Sequence, residues 1–257
     1  MNTGLFFTYQ TDLPEGVGYR LFHTDHFVIM LLCLALITAG LCAYRRCSDD
    51  LRKRKLRRVL VTSAVALMIL RLIFVCFCHA RIIYELPLHL CSIAGILCFI
   101  HEFGYGRLPK KLTALIGHLL FSVCLMGAVL AIVFSDGTAY PAFHFITIES
   151  NLFHALVILY ILISKTEGMI MPSVKDSWKT VLFLAALSLL VYAVDKTVHA
   201  NYMFLLGPSS DSPLMPAYNR WGYAGYFVSL CLIAVAEIYA VNLIALSVQK
   251  RMRGSDR

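Results

Sequence analysis

Long apolar runs separated by short polar connections dominate this chain. Seven runs stand out, at residues 27–44, 59–79, 82–101, 112–135, 143–164, 180–195 and 223–248. A helix needs about 20 apolar residues to cross the hydrocarbon of a bilayer, and these runs cluster around that length. The pattern predicts an all-α, polytopic membrane helical bundle with about seven transmembrane helices. No Ser/Pro/Gly-rich linker, internal repeat or low-complexity tract divides it, so residues 1–257 are expected to form a single integral membrane domain. The first 24 residues lack a basic start, and no small-residue cleavage pattern follows the first run. That run is therefore expected to persist as the first span.

Composition agrees with the pattern. The chain is 59% hydrophobic with a mean hydropathy of +0.73, against about 45–50% apolar residues in a soluble domain. Charge then assigns the sides. With seven spans, 18 of the 23 Lys and Arg residues fall on one side. They sit in the first connection (Arg45 to Arg58), in the third and fifth connections, and in the tail from Lys250 to Arg257. By the positive-inside rule the N-terminus is outside and the C-terminus cytoplasmic. The net charge of +8 is thus mostly topology. The block Arg52–Arg58 reads as a loop resting on anionic headgroups, and no nucleic-acid partner is expected. An integral plasma-membrane location follows as the expectation.

Nine cysteines lie mostly inside apolar runs, where cysteine acts as a small hydrophobe. They do not form a disulfide framework. Cys76 and Cys78 are two apart and face different ways on a helix, so no metal site is expected there. No cofactor is expected either.

Ionisable groups within the spans carry the chemistry, because they are costly in lipid. Arg71 falls within the second span and needs a carboxylate; Glu237 matches it in depth, with Glu149 as second choice. A guanidinium also suits a substrate phosphate. In the fifth span His144, Thr147, Asn151 and His154 fall within about 80° of one another at 100° per residue, which predicts a site-lining face. Tyr192, Asp195 and His199 share a face at the end of the sixth span. The long connection that follows, residues 198–222, includes Asn201 and has the length of a lid or entrance loop.

Residues 85–91, Glu-Leu-Pro-Leu-His-Leu-Cys, place a proline, a histidine and a thiol at the mouth of the third span. A cysteine and a histidine from different helices make a nucleophilic pair: imidazole takes the thiol proton and the thiolate attacks an acyl carbonyl. Pro87 suits a first helical turn, whose unpaired N–H groups favour a thiolate and an oxyanion. His89 lies about 200° from Cys91 on a regular helix, so the base for Cys91 is expected from the fifth span. A span starting at Ile82 puts Cys91 level with His154, and one starting at Pro87 favours His144.

The strings LPLHLC, HFITIESNLFHAL and HANYMFLLGPSSDSPL together resemble the YwaF-like bacterial integral membrane proteins, a family related to the animal transmembrane protein 164. The resemblance runs from about the first span to the last. It implies an acyltransferase that moves an acyl chain between phospholipids through a cysteine nucleophile and a histidine, which map onto Cys91 and His154. A more distant similarity is to androgen-induced membrane hydrolases of fatty-acid esters, which use a threonine and a histidine. The expected function is a membrane-embedded acyltransferase or transacylase acting on phospholipid or lysophospholipid. In it Cys91 is the nucleophile, His154 the base, Asn151 and His89 orient or stabilise the oxyanion, and Arg71 holds a phosphate. The alternative is a non-enzymatic transporter or lipid-binding protein whose path includes Arg71, Glu149 and Glu237.

Overall fold

A computed structural model describes residues 3–135, 137–209 and 212–255; of the basic tail, Arg257 lies outside them. Among these residues the only regular structure is helix. The elements are α1 (Thr24–Arg46), α2 (Asp50–Phe77), α3 (Leu90–Gly104), α4 (Lys110–Leu119), α5 (Leu125–Val133), α6 (Phe145–Thr166), α7 (Ser177–Val198) and α8 (Met215–Ser255). A π-helical turn, Leu120–Cys124, joins α4 to α5, so these two and the turn make one continuous span. Six spans are long and apolar enough to cross a membrane, and α3 is a shorter apolar helix. The expected polytopic bundle is what forms.

The centre of the bundle is α6. It packs against α1, α2, α3 and α5, and it is buried on nearly every face, whereas α1, α7 and α8 present most of their apolar residues outward. Outward apolar faces are what a lipid solvent demands. Close approach to α6 depends on small residues. A Cβ added at Gly95 of α3 would meet the Phe153 ring at 2.9 Å, and one added at Gly40 of α1 would meet Leu159 at 2.5 Å. Small residues of this kind let membrane helices pack where the hydrophobic effect gives no help.

Polar clusters tie the helices together at both ends. At the basic end, Arg57 of α2 donates to Glu102 of α3 (2.9 Å) and to the Tyr44 hydroxyl of α1 (2.7 Å), and Lys53 pairs with Glu167 at the end of α6 (3.1 Å). Also toward this end, Asn242 of α8 donates to Ser122 Oγ in the π-turn (2.8 Å), and its own Oδ1 accepts from the Ser173 N–H (3.0 Å). At the opposite end the N-terminal segment folds over α2 and α6. Phe6, Phe7, Phe74, Phe145 and Tyr140 pack as an aromatic group there. Gly18 allows that segment to lie on the loop before α6, since a Cβ would stand 2.0 Å from the Thr138 carbonyl oxygen.

Two expectations are corrected. The third span starts at neither Ile82 nor Pro87: a 3-10 turn covers Ile82–Tyr84, Pro87 lies in an irregular turn, and α3 begins at Leu90 with His89 as its N-cap. Glu237 is not the partner of Arg71. It sits on α8 beside Cys124, and Arg71 is bound instead by Glu85 and Glu149.

Candidate active site

The start of α3 is the most cross-braced point of the end opposite the basic one. Arg71 Nε donates to Glu85 (2.8 Å), and its Nη1 donates to Glu149 of α6 (3.4 Å). The Tyr9 hydroxyl reaches the other Glu85 oxygen at 3.4 Å. Tyr202, from the turn after α7, donates its hydroxyl to the Ile83 carbonyl and accepts from the Leu86 N–H. Burial pushes the Tyr202 phenol above its ordinary value, with Glu85 and Asp195 adding to the rise against the Leu86 N–H. The phenol therefore stays protonated and keeps donating near neutrality. His89 accepts from the Met203 N–H at 3.4 Å and stacks edge-on to Tyr202. Asp195, fully buried, accepts from the Tyr202 N–H (2.9 Å) and lies beside His89. Residues 85–89 are thus gripped by α2, α6, α7 and two loops.

Cys91 follows in the first turn of α3. The His89 side chain does not cap that turn, and the leading N–H groups of a helix have no acceptor within it. Cys91, Ala94, Gly95 and Cys98 share the inward face of α3 at i, i+3, i+4 and i+7. Cys91 also neighbours Cys124 of the π-turn.

The facing surface of α6 is marked by Phe153, seated on Gly95. At 100° per residue, Glu149 lies on one flank of Phe153, against Arg71 of α2. His154 lies on the other flank. Cys91 and His154 therefore both border the seam between α3 and α6 that Gly95 and Phe153 mark. Their levels differ. Gly95 meets Phe153, and His101 bonds Tyr160 (2.8 Å), so the two parallel helices run in constant register. That register sets Cys91 level with Glu149 and Ser150, about one helical turn from His154. His154 Nδ1 lies 2.6 Å from the Ser150 carbonyl oxygen. A carbonyl only accepts, so Nδ1 carries the proton and Nε2 keeps its lone pair.

The remaining residues of the polar stripe on α6 turn elsewhere. His144 is the N-cap: Nδ1 accepts from the Ile146 N–H (3.1 Å) and Nε2 donates to the Thr8 carbonyl (2.9 Å). Both nitrogens are occupied in holding the helix start. Thr147 donates to the Pro141 carbonyl (2.9 Å), and Asn151 donates to the Thr147 carbonyl (2.8 Å) while lying against Cys33 of α1. In the connection after α7, His199 ends the helix in the left-handed region (φ 57°). Asn201 braces its own loop through Leu206 N–H and Gly207 carbonyl. The structure gathers Arg71, His89, Cys91 and Asp195 toward one end, sets His154 about one turn deeper, and leaves His144, Thr147, Asn151, His199 and Asn201 outside that cluster; Glu237 stands beside Cys124, which Cys91 also neighbours. Glu85 and Tyr202 join it, although the sequence assigns them no role; an acid immediately before an apolar span is the available signal.

A description of the TMEM164 family matches residues 21–239. The chain belongs to the TMEM164 family. The matched region includes all seven spans apart from the last turns of α8. No curated protein and no solved structure matches the chain. A multi-pass membrane protein is what the family and the apolar helices establish together.

Capping makes a clear prediction for this TMEM164-family chain. His144→Ala removes the cap and the Thr8 contact, at a cost of about 1–2 kcal/mol. Thermal unfolding in detergent should shift downward while alkylation of Cys91 by a thiol reagent proceeds at the wild-type rate.

Proposed function

We propose that this protein is a membrane acyltransferase or transacylase acting on phospholipid or lysophospholipid, with Cys91 as nucleophile and His154 as base. The observation that carries the reading is the placement of Cys91. It sits in the first turn of α3, beside Cys124 and on the seam that His154 also borders. His154 Nε2 takes the thiol proton directly or across one water. The thiolate attacks the carbonyl of an ester-linked acyl chain, and the first-turn N–H groups of α3 stabilise the oxyanion. The carbon–oxygen bond of the ester breaks, and the departing alkoxide takes the proton back from the imidazolium, leaving a thioester on Cys91. A lipid hydroxyl, deprotonated by His154, attacks the thioester and restores the thiol. Both partners come from within the membrane, in keeping with a nucleophile at the mouth of a span. The excess of Lys and Arg at the opposite end supports an outer-side position for this one, in a plasma membrane.

In this scheme Arg71 is a positioning residue. Its guanidinium is held by two carboxylates, so it shapes the turn before Cys91 in preference to holding a phosphate. His89, held beside Asp195, borders the same entrance.

The test is a thioester-forming acyl probe applied to membranes containing the full chain, followed by peptide mapping. Cys91 should be acylated ahead of the other eight cysteines, and His154→Ala should slow acylation by roughly 10²–10⁴-fold. Equal acylation of Cys91 and the lipid-facing Cys231 would sink the reading. The transport alternative draws on the second polar cluster, at Asn242, Ser122 and Ser177. It gains if solute flux falls in Asn242→Leu while lipid composition is unchanged by Cys91→Ala.

A further inference from the structure

The basic block at the start of α2 divides into two sets. Arg52 pairs with Asp49 (3.5 Å), Lys53 with Glu167 (3.1 Å) and Arg57 with Glu102 (2.9 Å). Arg54 and Lys55 form no ion pair among the described residues, and Arg58 acts on Glu102 only from a distance, that carboxylate being bonded by Arg57. These three line one groove of about 420 Å³ along α2, with Thr62 and Ser63 further along it. Leu51 and Val59, 74% and 52% exposed, complete its walls. All seven positions recur at three- or four-residue spacing, so they form a single stripe about 18 Å long.

The groove has a polarity. Three cations stand at the end nearest the helix start, and two hydroxyls lie one to two turns further into the span. Arg58 is held in place: its guanidinium packs over the Phe103 ring of α3 at 5.3 Å. Its Nε is buried without a hydrogen-bond partner among the described residues. Cations in the opening turns of a helix also oppose the positive end of its dipole. An anion in the groove would offset that repulsion and partner Arg54 and Lys55. Its position, where the chain enters the apolar span, is where a phospholipid phosphate lies. Val59, exposed and deeper than the cations, then meets the glycerol instead of water.

We infer that this groove is a binding site for an anionic phospholipid, separate from the Cys91 seam at the other end of α2. The phosphate contacts Arg54, Lys55 and Arg58, and the Thr62 and Ser63 hydroxyls donate to the ester oxygens.

Native mass spectrometry of the detergent-purified full chain tests this, with phosphatidylglycerol and phosphatidylcholine of identical chains added together. The wild type should retain phosphatidylglycerol in preference. Each cation near an anionic surface contributes roughly fivefold, so R54Q/R58Q should lower retention roughly 25-fold. R52Q/K53Q removes the same net charge from paired residues and should change retention less than threefold, roughly half the effect of a single groove cation. R54K/R58K should restore most of it. Thr62→Phe fills the groove without altering charge, and it should also expel the lipid if the glutamine variant fails to fold. Equal losses in both charge-matched variants, no loss in either, or retention unaffected by Thr62→Phe would overturn the site. Displacement of phosphatidylglycerol by millimolar inorganic phosphate, with binding of phosphate alone, would overturn the lipid as occupant.

Discussion

Cys91→Ala is expected to abolish both acylation of the protein and acyl exchange between membrane lipids. The substitution is well suited to a mechanistic reading because little else should change. Cys91 is only partly buried and packs beside the main core, so removing one sulfur costs about 1 kcal/mol of packing at most. Its loss of activity should be complete because a methyl group cannot form a thioester. Cys91→Ser sharpens the test. A hydroxyl of ordinary acidity is a much weaker nucleophile, so exchange should fall by several orders of magnitude, and any acyl adduct should resist hydroxylamine. Cys98→Ala, one rung pair deeper on the same face, supplies the control: it too sheds a sulfur from α3, and acylation of Cys91 should survive it. Lipidomics of cells expressing each variant reads the result. Full exchange activity in Cys91→Ala would exclude the cysteine mechanism, whatever the labelling pattern.

Much of this arrangement is legible in the sequence. Apolar run length and the distribution of Lys and Arg are properties of a chain facing lipid, and they predict the seven helices directly. Helix periodicity likewise sets Glu149 apart from the stripe that begins at His144, and Glu149 meets Arg71 of α2 while His144 bonds Thr8 and Asn151 lies against Cys33. Two failures share one physical cause: sequence periodicity says which residues share a face but not which neighbour that face meets. His144, Thr147 and Asn151 form a real stripe, yet α6 is enclosed on nearly every face, and the stripe meets α1, the N-terminal segment and the loop before α6. Depth matching selects Glu237 for Arg71 on the assumption that helices at equal depth are in contact, whereas α2 packs on α6 and Arg71 finds its carboxylates there and in the turn before α3. The start of α3 escapes prediction for a different reason. Ile82 to Leu88 are apolar enough to be helical, but tertiary contacts from Tyr202 and Arg71 pull them into turns.

The second large effect is expected from Arg71→Met. The guanidinium joins Glu85 and Glu149, whose side chains are 15% and 4% exposed. Removing the cation leaves two carboxylates facing each other with little water to screen them. Breaking a fully buried pair costs about 3–5 kcal/mol; Arg71 is itself one-third exposed, so about 2–3 kcal/mol is expected. Thermal unfolding in detergent should register it as a clear fall in midpoint. The fall should be largely reversed in Arg71→Met/Glu149→Leu, because the most deeply buried charge is then gone and an apolar pair fills its place. Activity should not return with stability. Glu85 would still lack its anchor, the turn through Pro87 would keep only its contacts to Tyr9, Tyr202, Met203 and Asp195, and the first turn of α3 would lose its fixed orientation toward His154. An acylation rate that recovers together with the melting midpoint would show that Arg71 serves stability only. A rate that stays low in a restored fold would show that the ion pair aims Cys91.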